Sequence, residues 1–319
     1  MIPIKEIKPE HNTFSNIVVD ITHRCNMECA NCYLPNREIP DMDKNKLYEF
    51  MQKLPSRTYI RLVGAEPTMR DDLTEIIKSI LSYGHKPSVT TNGLKLANFE
   101  YTKSLKDAGL SLVLISMNGA DDDEVYKVLD NGKWSTVKVR ALENVMQLNM
   151  IFNTGSIIAK GVNEKTVKDQ VNVVVDTAKK LGINFDSSKV YRRVKPIIRL
   201  KSVGNIGRNI GEDTAYSMTE LVKVVANQLN ITEEYILGYP AVSGVNRQSL
   251  DKNDEDKNHE SGYMFPYKTE QGELLIRLID WQVDDEGMVD PGNPNRGRIT
   301  QDWNIASFFD HVKANEFGY

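Results

Sequence analysis

The chain has 319 residues, of which 40% are hydrophobic and 26% are charged, a composition typical of a globular protein that can bury a sizeable core. The formal net charge of -4 argues against a surface that binds nucleic acid along most of its length, because such binding depends on neutralising phosphates. No apolar run approaches the roughly 18 residues of a membrane span, and the N-terminus resembles no signal peptide, so we expect a cytoplasmic protein.

Residues 17–191 alternate between short apolar runs and segments with helical spacing of apolar residues. The runs predict strands at 17–21, 59–63, 88–91, 111–116, 151–158 and 183–185. The helical spacing predicts helices at 43–53, 71–82, 101–108, 134–148 and 164–181. This alternation is typical of βα units and of an α/β fold with a parallel sheet. Six strands indicate an open, partial barrel.

All three cysteines lie in one loop after the first predicted strand, as Cys25, Cys29 and Cys32. An odd number of cysteines in a long chain argues against a disulfide framework. A structural zinc site usually takes four ligands in two separated pairs, and the nearest fourth candidate here is His23. Iron-sulfur clusters are held by cysteine thiolates, and three thiolates leave one iron of a cubane open. An open iron can chelate a small molecule through an amine and a carboxylate.

The C-x3-C-x2-C loop resembles the cluster loop of the radical SAM superfamily. The resemblance implies a [4Fe-4S] cluster on the three cysteines, with S-adenosyl-L-methionine (SAM) on the open iron. It also implies a partial (β/α)6 TIM-like barrel with its site at the carboxyl ends of the strands. The family usually has an aromatic residue just before the third cysteine. Here Asn31 takes that place and Tyr33 follows the cysteine, so Tyr33 is the aromatic candidate for a cofactor contact.

The second predicted strand ends in Gly64-Ala65-Glu66-Pro67, which is similar to the G-G-E-P loop of the same family, with Ala65 in place of the second glycine. The resemblance implies that Gly64, Ala65 and Glu66 receive the amino group of SAM through backbone carbonyls and the carboxylate. An isolated Glu-Pro would be interpreted as a plain turn.

The third and fourth strands end in Thr91-Asn92-Gly93 and Ser116-Met117-Asn118-Gly119. Both resemble family loops whose hydroxyl and amide groups bind the ribose and methionine parts of SAM. The resemblance therefore assigns Thr91, Asn92, Ser116 and Asn118 to the cofactor. Asn-Gly alone is a common turn.

The later strand ends supply candidate cations. Lys160, after the fifth strand, is placed by the resemblance near the carboxylate of SAM, whereas Asn163 fits a helix N-cap. Arg193 and Arg208 follow the predicted sixth strand, in a region that the resemblance places beside the adenine or an anionic substrate. The alternative for both arginines is a solvated basic stretch.

The βα alternation stops after residue 210, which predicts a barrel core at 1–210 and an α+β extension at 211–319 that covers the substrate. Ser217 and Glu220 have the spacing of a capping box. The polar run 251–260 is expected to be a loop or lid, and 273–281 a strand. Residues 291–298 are expected to form an irregular loop. In it Arg296 and Arg298 could form a fork for a phosphate or carboxylate of the substrate.

No cysteine follows Cys32, so we expect a single cluster and no auxiliary one. The resemblance then implies an enzyme that receives an electron from flavodoxin or ferredoxin and cleaves SAM reductively. The 5'-deoxyadenosyl radical formed would abstract hydrogen from a small molecule such as a nucleotide, sugar or amino-acid derivative. A ribosomally made peptide is the alternative substrate, and a non-catalytic metal-binding protein is the alternative of another class.

Overall fold

The computed structural model describes residues 6–34, 36–204, 208, 211–240, 262–279 and 296–307. Ten strands in this part of the chain form one sheet in the order β10-β9-β1-β2-β3-β4-β5-β6-β8-β7. The strands are β1 (Asn16–Asp20), β2 (Tyr59–Val63), β3 (Lys86–Thr91), β4 (Leu112–Ser116), β5 (Ile151–Ile158), β6 (Ile197–Ser202), β7 (Gly262–Thr269), β8 (Gly272–Ile279), β9 (Arg296–Ile299) and β10 (Ile305–Ser307). The helices are α1 (Lys44–Lys53), α2 (Leu73–Ser82), α3 (Phe99–Asp107), α4 (Asp123–Asp130), α5 (Ser135–Gln147), α6 (Thr166–Lys180), α7 (Met218–Leu229) and α8 (Glu233–Leu237).

Strands β1 to β6 pair in chain order and in parallel, which confirms the predicted α/β class with its parallel sheet. The C-terminal region continues this sheet on both sides. Strand β8 pairs in parallel with β6, and β9 pairs in parallel with β1. Antiparallel pairing adds β7 beside β8 and β10 beside β9. The described strands of the C-terminal region therefore border the same concave face as the core strands.

Successive side chains of each strand point to opposite faces of the sheet. In β1, Ile17 and Val19 are fully buried in the large apolar core, together with helix residues such as Leu47 and Ile76. Val18, between them, points to the other face and lines a cavity. This alternation separates an apolar layer under the helices from an inner face that can carry polar groups.

The predicted strand at 183–185 is wrong, because these residues belong to no strand and the sixth strand is β6, Ile197–Ser202. Phe185 is buried because its ring packs edge-on against Tyr191, with ring centroids 5.8 Å apart, and not because it is part of a sheet. The true strand was overlooked because Arg199 and Lys201 interrupt its apolar residues. Helix α4 was also absent from the sequence-based expectations.

The sequence predicts an N-terminal cap for two helices, α7 and α6. The capping box is confirmed: the Ser217 side chain accepts from the backbone N–H of Glu220, and the Glu220 side chain accepts from that of Ser217. The expectation that Asn163 caps a helix is wrong, because α6 begins at Thr166 after Lys165. The Asn163 side chain instead accepts from the backbone N–H of Ala159 and donates to the carbonyls of Asn118 and Ile157.

The expected loop or lid at 251–260 and most of the expected loop at 291–298 lie outside the described residues. Residues 296–298 belong to β9. No helix in the described ranges is long and apolar enough to cross a membrane.

Candidate active site

All three cysteines line one cavity on the concave side of the sheet, at the carboxyl ends of β1 to β6. The volume of the cavity is about 220 Å³. Cys25, Cys29 and Cys32 are each partly exposed, and none forms a disulfide. Burial raises the pKa of the Cys25 and Cys29 thiols, because it disfavours the charged thiolate. A bound metal cation would favour the thiolate, because a coordinating thiol is deprotonated.

Backbone hydrogen bonds fix the cysteine loop to the neighbouring strand end. The N–H of Ala65 donates to the carbonyl of Thr22 over 2.9 Å, and that of Glu66 donates to the carbonyl of Arg24 over 3.0 Å. Gly64 allows this approach, since it has φ of +136° and an added Cβ would lie 2.3 Å from the Thr22 carbonyl oxygen. The Gly-Ala-Glu loop and the cysteine loop therefore form one unit.

The cysteine loop also touches two more distant segments. The N–H of Ala30 donates to the carbonyl of Leu129, at the end of α4, over 2.9 Å. The N–H of Arg208 donates to the carbonyl of Cys32 over 2.8 Å, and the guanidinium of Arg208 pairs with Glu28 at 2.8 Å. Arg208, predicted as a substrate residue, thus contacts the cysteine loop itself.

Among the described residues, three groups donate hydrogen bonds to the cysteine sulfur atoms. The backbone N–H of Met27 lies 3.3 Å from Cys25 Sγ, and the Asn92 amide lies 3.9 Å from the same atom. The guanidinium of Arg37 lies 3.4 Å from Cys32 Sγ. Arg37 was missed by the sequence reasoning, and its only sequence signal is that it follows the third cysteine by five positions.

Glu66 is fully buried and binds the next strand end instead of lining the cavity. Its Oε1 accepts from the Thr68 N–H at 3.0 Å, the Thr68 hydroxyl at 2.6 Å and the Thr91 hydroxyl at 2.7 Å. Its Oε2 accepts from the N–H of Asn92 at 2.6 Å. The neighbouring Gly64 and Ala65 do line the cavity. The carboxylate therefore fixes the third strand end relative to the second, and its contact with SAM stays a prediction.

Thr91 and Asn92 lie where β3 ends, and both line the cavity together with Thr90. The Asn92 amide donates to the side chain of Asn26 in the cysteine loop over 2.8 Å. The hydroxyl of Thr91 is engaged with Glu66. Thr90 was not among the predicted site residues, although strand alternation points it to the inner face.

Ser116 and Asn118, at the end of β4, line the cavity beside an ion pair of Asp130 and Lys138. Lys138 Nζ lies 3.1 Å from Asp130, donates to the carbonyl of Ser116 over 2.9 Å and lies 5.0 Å from the centroid of the Tyr126 ring. The Asn118 amide donates to Asp130 over 2.7 Å. Both charged side chains are 1% exposed. No sequence motif indicates this pair, because the partners belong to two different helices.

Tyr33 and Arg298 meet over Asp20, the last residue of β1. The Tyr33 hydroxyl donates to Asp20 at 3.3 Å and to the carbonyl of Gly64 at 3.4 Å. The Arg298 Nε donates to Asp20 at 2.6 Å, and its guanidinium carbon lies 5.6 Å from the centroid of the Tyr33 ring. Both side chains line the cavity, as does Arg296 two positions earlier.

Besides Glu66 and Arg208, two further predicted site residues do not line the cavity. Lys160 pairs with Glu220 at 2.9 Å, and its side chain is 41% exposed. Arg193 is exposed in the turn before β6, whereas the cavity lies at the other end of that strand. Its predicted position depended on the wrong sixth strand at 183–185. The structure therefore brings neither residue to the cysteines.

The donor set of the cavity fits the two cofactors that the sequence implies. Three thiols on one wall suit a cubane with one open iron. The side-chain nitrogen of Asn31 lies in the cavity lining, buried and without a hydrogen-bond partner among the described residues. In the same part of the chain, no three Cys, His, Asp or Glu side chains form a group that could hold a single metal ion.

Comparisons with known proteins agree with this site. Residues 19–173 match the family model described as the Radical SAM superfamily. The chain is 28% identical over 256 residues to the 7,8-dihydro-6-hydroxymethylpterin dimethyltransferase of Methanocaldococcus jannaschii, covering 74% of this chain and 47% of that protein. It is 31% identical over 166 residues to the GTP 3',8-cyclase of Aquifex aeolicus, covering 47% of this chain and 50% of that protein. The chain thus spans about half the length of these curated relatives.

Among solved structures, the fold is similar to Streptococcus suis SuiB bound to its precursor peptide SuiA. The TM-score is 0.52 at 14% identity, and the alignment covers 66% of this chain and 44% of SuiB. The family model spans the cysteine loop and the ends of β1 to β5, where the cavity lies. Residues 19–173 therefore form a domain of the Radical SAM superfamily, a family that implies a [4Fe-4S] cluster and SAM.

Proposed function

We propose that this protein is an enzyme that cleaves SAM reductively at one [4Fe-4S] cluster and abstracts hydrogen from a small-molecule substrate. The observation that carries the proposal is the single cavity lined by Cys25, Cys29 and Cys32 together with the ends of β2 to β5. When bound, the cluster and SAM supply the radical chemistry, while the protein supplies binding, orientation and exclusion of water.

In this proposal, different residues of the cavity bind the cluster, bind SAM and position the binding loops. The three cysteines would hold three irons and leave the fourth open to a ligand, and the polar strand ends line the same cavity. The backbone at Gly64 and Ala65 and the side chains of Asn92, Ser116 and Asn118 offer hydrogen-bonding groups for the methionine and ribose parts of SAM. Glu66 acts as a positioning residue in this proposal, since two of its hydrogen bonds fix the Thr91-Asn92 loop and two more hold Thr68 in its own loop.

The small-molecule class is supported by the shape and the charge of the cavity. The inner face of the sheet is concave, and charged side chains from β2, β6 and β9 line it. The names of the two curated relatives point to pterin and GTP chemistry in those proteins. The electron donor in this proposal is flavodoxin or ferredoxin, as expected from the sequence.

Anaerobic reconstitution of the full chain tests the proposal. We expect about four irons per chain, as one cubane requires, and slow formation of 5'-deoxyadenosine from SAM after reduction with dithionite. Mass spectrometry follows the nucleoside, and elemental analysis counts iron and zinc. The Cys29→Ala variant is the control for the cluster, and we expect it to lose both iron and SAM cleavage.

Two results would contradict the proposal. A chain that carries zinc and leaves SAM intact would belong to the non-catalytic metal-binding class. Full iron content and brown colour in the Cys29→Ala variant would show that the cysteine loop does not hold the cluster.

A further inference from the structure

Within the described strands, five cationic side chains besides Arg298 lie on or beside the inner face of the sheet. They come from β2, β6, β8 and β9, which approach the cavity from both edges of the barrel. The register places Arg199 of β6 opposite Arg277 of β8. The five side chains are Arg61, Arg199, Lys201, Arg277 and Arg296, and all except Arg277 line the cavity.

Other cations of the cavity already have carboxylate partners. Lys138 pairs with Asp130, and Arg298 pairs with Asp20. For Arg61 and Arg199, in contrast, the described residues provide neither a carboxylate within ion-pair distance nor a side-chain hydrogen bond. The Nε of Arg199 is buried without a hydrogen-bond partner there, and the residue as a whole is only 7% exposed.

Placing these cations together is energetically unfavourable while the cavity holds no anion. Burial and the nearby Arg277 lower the pKa of Arg61 to about 10. Burial, and then Arg61, Arg277 and Arg296, lower the pKa of Arg199 well below its usual range. Burying a charge costs free energy unless it is paired and hydrogen-bonded. A ligand that supplies the missing negative charge would remove this cost.

We propose that Arg61 and Arg199 are the centre of a binding site for the polyphosphate group of the substrate. This inference rests on the proposed function, because it places the substrate of the radical reaction in the same cavity. The ligand class is a small molecule with two or more linked phosphates.

The geometry favours linked phosphates over a single carboxylate. Guanidinium groups bind phosphate oxygens through pairs of parallel hydrogen bonds. Here two guanidiniums come from strands that lie on different sides of the barrel, with Lys201 and Arg296 beside them. One carboxylate carries one negative charge, which cannot balance two guanidinium groups. A diphosphate or triphosphate carries several charges, and its oxygens point in several directions.

The test measures binding of inorganic tripolyphosphate to the full reconstituted chain by isothermal titration calorimetry, with and without SAM. We expect Arg61→Gln and Arg199→Gln each to weaken binding by about ten- to one-hundred-fold, as the loss of charge-assisted hydrogen bonds predicts. The matched control is Arg192→Gln, because Arg192 is exposed in the turn before β6. Binding to the control should stay within about twofold of the unchanged chain.

Thermal unfolding separates a loss of binding from a loss of folding. Without ligand, Arg61→Gln and Arg199→Gln should unfold at the same or a higher temperature than the unchanged chain, because each removes a like charge from the cluster. Tripolyphosphate should raise the unfolding temperature of the unchanged chain and of Arg192→Gln, since a ligand of the native state stabilises it. It should have a much smaller effect on the two cavity variants.

Three outcomes would overturn the inference. The first is the absence of tripolyphosphate binding to the unchanged chain, with and without SAM. The second is equal binding by all variants, which would locate the anion elsewhere. The third is citrate binding as tight as that of tripolyphosphate, which would make the ligand a polycarboxylate. SAM cleavage by the same preparation reports the proposed function separately, so a failed binding test with intact cleavage contradicts this inference alone.

Discussion

The carboxylate of Glu66 accepts a 2.6 Å hydrogen bond from the backbone N–H of Asn92, so a residue after β2 fixes the end of β3. The Asn92 side chain in turn donates to Asn26 in the cysteine loop over 2.8 Å. Through these two bonds, one buried carboxylate connects the ends of two strands with the segment that carries the thiols.

We predict that Glu66→Gln destabilises the fold and weakens SAM binding while the cluster is still loaded. In the glutamine, an NH2 group replaces one of the two accepting oxygens. In either orientation it faces a donor, at Asn92 or at Thr68 and Thr91, and leaves a buried donor unsatisfied, which costs about 1–3 kcal/mol. Urea unfolding and SAM titration measure the two effects. The matched control is Glu75→Gln, since Glu75 is exposed and pairs with Lys44 at the surface. Equal stability of the two variants would contradict the role of Glu66 as a positioning residue.

We predict that Gly64→Ala damages the site more than the same change at another glycine with positive φ. At Gly64 the new Cβ would lie 2.3 Å from the carbonyl oxygen of Thr22, so the cysteine loop has to move. Gly182 has φ of +65° with no atom within 4 Å of an added Cβ, so Gly182→Ala should cost only the backbone strain of about 1–2 kcal/mol. Urea unfolding and iron content compare the two, and similar values for both would argue against the close approach at Gly64.

We predict that Lys138→Met is strongly destabilising, because it leaves Asp130 buried without its cation. Losing one partner of a buried ion pair costs about 3–5 kcal/mol. The exposed pair of Lys127 and Glu124 provides the control, and Lys127→Met should cost at most about 1 kcal/mol. Chemical denaturation measures both changes.

The double variant Asp130→Asn with Lys138→Met extends this test. It removes both charges, so it should recover part of the stability that Lys138→Met loses. A double variant less stable than Lys138→Met alone would show that the two side chains act independently of their pairing.

We predict that Arg37→Gln lowers the reduction potential of the reconstituted cluster by tens of millivolts. The guanidinium lies 3.4 Å from Cys32 Sγ, and a positive charge near the sulfur atoms favours the reduced, more negative cluster. A redox titration followed by electron paramagnetic resonance measures the potential. Arg140→Gln is the control, because Arg140 is exposed and pairs with Glu143. An unchanged potential in Arg37→Gln would refute the electrostatic role of Arg37.

The sequence alone determined most of the barrel. The runs at 59–63 and 151–158 coincide with β2 and β5, because both strands bury apolar side chains and are bounded by polar or turn residues. The three clustered cysteines needed no tertiary information either, since a spacing within eight residues fixes them in one loop. Apolar runs and cysteine spacing depend only on residues that are close in the sequence, so the sequence alone reveals them.

Only the tertiary structure decided which distant groups meet. In the sequence, Arg199 and Lys201 interrupt the apolar residues around Leu200, which obscures the strand. The pairing of β6 with β8 shows that Leu200 faces the core, whereas Arg199 and Lys201 face the cavity. The strand pairing likewise brings Arg298 to Asp20, 278 positions away in the chain. Ion pairs and buried cations depend on strand order and on which face each side chain takes. The sequence pattern does not contain that information, because strand order arises from pairing between segments that are far apart in the chain.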